Sequence, residues 1–248
     1  MSEIKGPPLN QEAKESNYGS IKLISLKGER QIEAILSTGE VLGEGESGVV
    51  REAWLEFTRN GKKRKYPVVI KTYRQQDEDL RYGKDIDPKM AKARNDAYRG
   101  QLFYYECLRR VGVNVIPTFR LAQGEGGNIL GIVMTNLNIK PLDAKSEVVD
   151  VSTTKTDTLA SQLTSFSRRR DLALAKKIGL GLEHDSWMLQ YSNRWKGLGL
   201  VIPQPVVSDI IGVKIEDKHL FNEFLSQADN EDLKEEAVKN WVLKLKLV

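Results

Sequence analysis

The chain has 248 residues, 40% hydrophobic and 29% charged, and 38 basic against 34 acidic residues leave a net charge of +4. That length can bury a sizeable core, and so mild a basic excess does not by itself argue for nucleic acid. One cysteine, Cys107, excludes an internal disulfide and fits a reducing compartment, and with His184 and His219 it is too little for a zinc site.

The start, Met1 to Pro8, lacks the apolar stretch of a secretory signal, and no segment reaches the length of a membrane span, so a cytoplasmic location is expected. Residues 1–35 read as an amino-terminal extension in which Ile21 to Leu26 forms a short strand. Ile35 to Leu42 is a strand entering the turn Gly43-Glu44-Gly45-Glu46-Ser47-Gly48. The β-branched, roughly alternating run from Val49 to Phe57 is the next strand. Arg59-Asn60-Gly61 marks a hairpin, followed by the basic run Lys62-Lys63-Arg64-Lys65 and a strand ending Val68-Val69-Ile70-Lys71. The basic run suits a solvated hairpin tip, with a nuclear signal or an anionic docking patch as the alternatives.

Gln75 to Asp85 is too polar to be core. Asp87-Pro88 predicts a helix start, with aspartate at the N-cap and proline at the first helical position, and Gly112 predicts the end near Arg110. Val113 to Leu121 and Ile129 to Met134 read as two more strands. Residues 138–170 form a Ser/Thr-rich linker or loosely packed helix, and 171–248 begin with a helix from Asp171 to about Leu189. Two short strands follow around Pro203-Gln204-Pro205, and the end of the chain from Phe221 is mostly helical.

A glycine turn between strands, then a strand bearing a lysine, is the pattern that grips nucleotide phosphates. Glycines admit the backbone close to the phosphates, and lysine supplies the cation. A Rossmann turn would open into a helix, whereas a strand follows here. The segment 36–137 thus resembles the amino-terminal lobe of the protein-kinase-like superfamily. The resemblance implies an α+β, bilobal fold: a five-stranded antiparallel sheet with one helix over 36–137, and a reduced, mostly helical carboxy-terminal lobe over 171–248. It implies ATP and Mg²⁺ as cofactors.

By that resemblance Gly43, Gly45, Ser47 and Gly48 cover the phosphates, Val50 covers the adenine, Lys71 contacts the α- and β-phosphates and Glu106 pairs with Lys71. Backbone groups of Met134 to Asn136 would hold the adenine. Ser208-Asp209-Ile210-Ile211-Gly212 resembles the metal-binding Asp-Phe-Gly region, with Asp209 on Mg²⁺ and Asn193 as a further ligand. The expected His-Arg-Asp is missing: after His184 and Asp185 no aspartate occurs before Asp209, so Asp185 is the one candidate substitute for the catalytic base. Two functions stay open, an atypical phosphotransferase and a pseudokinase that acts as scaffold or regulator. A protein substrate or partner is expected, and nucleic acid is set aside because no basic stripe surrounds Trp187 and Trp195. A more distant reading is an α+β interaction domain whose glycine turn is coincidental.

Overall fold

A computed structural model describes residues 16–26, 32–45, 48–59, 61–77, 87–137, 159–183, 187–192 and 202–239. Four long strands, β1 (Ser16–Ile24), β2 (Ile32–Glu44), β3 (Gly48–Arg59) and β4 (Lys62–Tyr73), run antiparallel in sequence order. β5 (Phe119–Gln123) and β6 (Ile129–Thr135) complete the set. β6 pairs with β4, β5 pairs with β6, and β5 returns to β1 through Lys22 opposite Gln123 and Ile24 opposite Leu121. The result is a closed six-stranded antiparallel barrel in the order β1-β2-β3-β4-β6-β5.

This corrects the expected bilobal protein-kinase-like fold with its open five-stranded sheet. The sixth strand is β1, from the segment read as an extension. Its Ile21 and Leu23 face inward, 2% and 5% exposed, and pairing on both sides removes the edges of β2 and β5. Leu36, Leu55, Val68, Ile70 and Val133 fill the interior with Ala34, Ala53 and Ala122. The small residues are required because an interior this narrow fills quickly. At Gly131, a Cβ would sit 2.8 Å from the Lys71 carbonyl oxygen and 2.9 Å from Ile70 Cγ1.

The helix α1 (Pro88–Arg110) starts as its sequence signal indicates, with the Asp87 side chain accepting from the Lys89 N–H. Every residue from Gly100 to Leu108 is buried, which a surface helix with one apolar stripe would not show. One side covers the outward residues of β5 and β6, such as Phe119, Leu121 and Met134. Another meets the carboxy-terminal segment, where Phe103 and Phe221 lie ring edge to face at 6.2 Å.

That segment holds α2 (Leu159–Lys177), β7 (Leu180–Gly181), β8 (Trp187–Ser192), β9 (Ile202–Val207), β10 (Lys214–Ile215), α3 (Lys218–Ser226) and α4 (Glu231–Lys239). β7 pairs with β10 and β8 with β9. One continuous apolar cluster runs from Val69 and Phe103 to Val206, Phe221 and Leu233, so barrel, helix and carboxy-terminal elements share a core. Two local expectations also fail. The helix expected from Asp171 to about Leu189 stops at Lys177, and Leu189 to Ser192 is strand. Val113 to Thr118 is not strand; Val115 makes a single parallel bridge to Val207. Among the described residues, no helix is long and apolar enough to cross a membrane.

Candidate functional site

Lys71 stands near the end of β4, opposite Val50 on β3 and Ile132 on β6. Alternation along the strand sends Ile70 into the barrel and Lys71 outward, toward α1 and the carboxy-terminal segment. There its Nζ donates to Asp209 Oδ2 at 2.7 Å, joining residues 138 apart in the chain. The Lys71 side chain is 13% exposed and that of Asp209 37%.

Asp209 is held by the end of β9. The Val207 N–H donates to the Asn114 carbonyl at 2.8 Å, and the Ile116 N–H donates to the Val207 carbonyl at 3.0 Å. This pins the strand end to the loop after α1. Beyond it, Asp209 Oδ1 accepts from the Ile211 N–H at 3.0 Å, which fixes the carboxylate. Sequence reasoning singled out both members of the pair but not their contact.

The glycine turn lies beside Lys71. At Gly48 a Cβ would fall 2.5 Å from the Thr72 carbonyl oxygen and 3.7 Å from Lys71 Cε, so only glycine lets β3 approach β4 here. The Gly45 N–H donates to the Gly48 carbonyl at 2.8 Å. The Arg74 guanidinium donates to the Gly45 carbonyl at 3.0 Å and so anchors the turn. Gly43 lies at the end of β2, opposite Val50. Val50 is half-buried against the main core, on the same outer face as Lys71. Ser47, Asp185 and Asn193 lie outside the described residues.

Glu106 does not pair with Lys71. It is buried, and its Oε2 accepts from Arg109 Nε at 2.8 Å, an ordinary i,i+3 pair. Helix phase explains the miss. The α1 residues that line the cleft beside Lys71 are Tyr98 and Gln101, and five residues beyond Gln101 the helix has turned about 140° away. Gln101 Nε2 donates to the Tyr73 hydroxyl at 2.9 Å. Burial raises the pKa of that hydroxyl and the negative charge of Asp209 adds to the rise, while the Gln101 hydrogen bond opposes it.

Of the positions expected to hold adenine, Met134 is buried in β6, with Val69 of β4 on one side and Phe119 of β5 on the other. Its backbone lies within the ladder. Asn136 is beyond the last strand residue, Thr135.

Lys71, Thr72, Tyr73, Tyr98, Gln101, Ile132 and Ile211 line a shallow, half-open depression with no interior room for a ligand. Small-molecule sites usually offer about 300–1,000 Å³, so a ligand could enter here only if the walls moved apart, and the Lys71–Asp209 bridge lies beside them. Among the described residues no three His, Cys, Asp or Glu side chains gather as a metal cluster.

A second polar cluster escaped the sequence reading. Arg51 shares the inward phase of Val49, Ala53 and Leu55, and Asp77 meets it with both carboxylate oxygens, at 2.8 and 3.1 Å. Asp77 and Gln76 are 2% and 3% exposed, so the segment judged too polar for the core is in part inside it. Gln76 Nε2 donates to the Ile129 carbonyl, and its Oε1 accepts from the Tyr98 hydroxyl. A charged residue at an inward strand position was the available signal for Arg51; nothing local signals Asp77.

No protein-family model matches the chain, and no curated protein or solved structure matches it.

Proposed function

We propose that the protein binds ATP through the glycine turn and Lys71, and acts as a nucleotide-dependent regulatory or scaffolding protein. The observation that carries this reading is the Lys71–Asp209 bridge, a cation and a carboxylate held 2.7 Å apart beside a glycine required by close backbone approach. A lysine that only solvates a strand end would not be 13% exposed and paired across the molecule.

Entry of a triphosphate requires the cleft to widen. Exposed ion pairs contribute only about 0–1 kcal/mol, and with Asp209 over one-third exposed the bridge stands near that range. A triphosphate carries more negative charge than one carboxylate and can displace Asp209 from Lys71 at small cost. Freed, Asp209 together with phosphate oxygens and water is a donor set that suits Mg²⁺, which usually takes one or two carboxylates. When bound, the ion would neutralise phosphate charge. The chain's own part is to hold Lys71 and Asp209 side by side and to keep the turn's backbone within reach.

Strand β8 favours regulation over catalysis. The resemblance would expect a catalytic loop over Leu189 to Asn193, whereas Leu189 to Ser192 is strand paired with β9 and contains no carboxylate. Phosphoryl transfer depends mainly on positioning and electrostatics, so slow transfer by an atypical phosphotransferase is the second reading, favoured by the Lys71–Asp209 pair itself.

The test is thermal melting with ATP, with and without Mg²⁺, alongside incubation with radiolabelled ATP. A ligand that binds only the native state stabilises it by mass action, about 2.7 kcal/mol at one hundred times Kd. A rise in melting temperature with no label transferred supports the regulatory reading. No rise at millimolar concentrations removes the nucleotide reading altogether.

A further inference from the structure

We propose that the far end of the β3–β4 ribbon binds single-stranded nucleic acid, with Tyr66 stacking on a base and Lys62 and Arg64 contacting phosphates. This surface is separate from the cleft. Lys62 is nine residues before Lys71 on the same unbroken strand, about 30 Å at the usual rise.

The pairing register decides which side chains share a face. Leu55 opposes Tyr66, Phe57 opposes Arg64 and Arg59 opposes Lys62, and directly opposed residues project to the same side. One face of the ribbon therefore carries Phe57, Tyr66, Arg64 and Lys62 together. Tyr66 is 44% exposed and meets Phe57 edge to face at 5.7 Å. Lys62 and Arg64 are exposed, and among the described residues neither has an acidic partner. The opposite face is already engaged: Lys63 pairs with Glu56 at 3.0 Å, and Lys65 lies over Trp54 at 4.9 Å. Two free cations one strand period apart, in line with an exposed aromatic ring, form the charge-and-stacking pattern that tracks a single strand.

A polyanion lying along the ribbon reaches both ring and cations. A flat anionic bilayer does not, because Gly61, in the turn before β4, has no side chain to insert. Phe57 lies two residues before Arg59, the last residue of β3, about 7 Å from the strand end. The mild net charge does not by itself argue for nucleic acid; the shared face does, and only strand register reveals it.

Fluorescence anisotropy of a labelled oligothymidine of about 16 nucleotides, titrated with the full chain, tests this. Binding at about 50 mM salt should weaken steadily toward about 200 mM. Changing both Lys62→Gln and Arg64→Gln should lower the log–log salt slope by about 1.4, since each single-strand phosphate contact contributes about 0.7. Tyr66→Ala should weaken binding roughly tenfold at unchanged salt slope, and Tyr66→Trp should retain it. Equal melting temperatures for the variants separate lost contacts from lost folding. The proposal is overturned by no binding at low salt, by a Tyr66→Ala protein that binds like wild type, by an unchanged slope in the double variant, or by capture on phosphatidylserine vesicles without capture of the oligonucleotide.

Discussion

Arg51 brings a full charge to a position where β3 points its side chains into the barrel, and it stays there because Asp77 meets it with both oxygens. Removing one member of a buried pair leaves an uncompensated charge and costs about 3–5 kcal/mol, whereas replacing both by apolar groups can be neutral. Arg51→Met should therefore lower stability in urea by that amount, and adding Asp77→Leu should restore most of it. Lys71 and Asp209 call for the opposite expectation, since their pair is partly open to water. Asp209→Asn should change unliganded stability by less than about 1 kcal/mol. It should also abolish any Mg²⁺ dependence of ATP binding while leaving metal-free binding equal or tighter, because Lys71 is released. Loss of metal-free binding in Asp209→Asn would show that Asp209 does more than compete for Lys71.

At the scale of elements, the three glycines of the turn divide by sterics. Gly48 touches backbone, while a Cβ at Gly43 meets nothing within 4 Å and at Gly45 only the Gly48 oxygen at 4.0 Å. Gly48→Ala should cost about 1–3 kcal/mol as β3 and β4 are forced apart. Gly43→Ala should leave the melting temperature of the unliganded protein unchanged, so any loss of ATP binding in that variant reports phosphate approach alone. The β3–β4 hairpin, the start of α1 and its end near Gly112 were legible in the sequence because each rests on a local signal: a turn dipeptide, an N-cap with proline, a glycine. The burial of Asp77 was not legible, because a polar segment goes inside only when a distant charge awaits it. Nor was the partner of Lys71. That choice depends on the rotation of α1, which puts Gln101 and not Glu106 at the cleft, and on β9 carrying Asp209 across.

For the whole molecule, closure of the barrel is the feature that sequence reading missed. The pairing of β1 with β5 joins Lys22 to Gln123, and long-range pairing leaves no local trace in composition or periodicity. The shared core makes a further prediction at this scale. Burial pushes the Tyr98 and Tyr104 hydroxyls well above the usual tyrosine value of 10.0. The folded protein keeps those protons at pH values where the unfolded chain has lost them. Stability from these groups is thus fully present below about pH 9 and falls above about pH 10, by about 1.4 kcal/mol per pH unit for each tyrosine. Urea titrations across that range should show a flat stability turning downward; a flat profile through pH 12 would contradict the burial of these rings.

Lys71 is proposed to receive the phosphates of ATP, and calorimetric titration of ATP into wild-type and Lys71→Met protein puts that to the test. Saturable binding to the wild type and its near-complete loss in Lys71→Met are expected, with the two unliganded proteins melting within a few degrees of each other. Equal affinity in the two proteins, or no heat of binding in either, would contradict it.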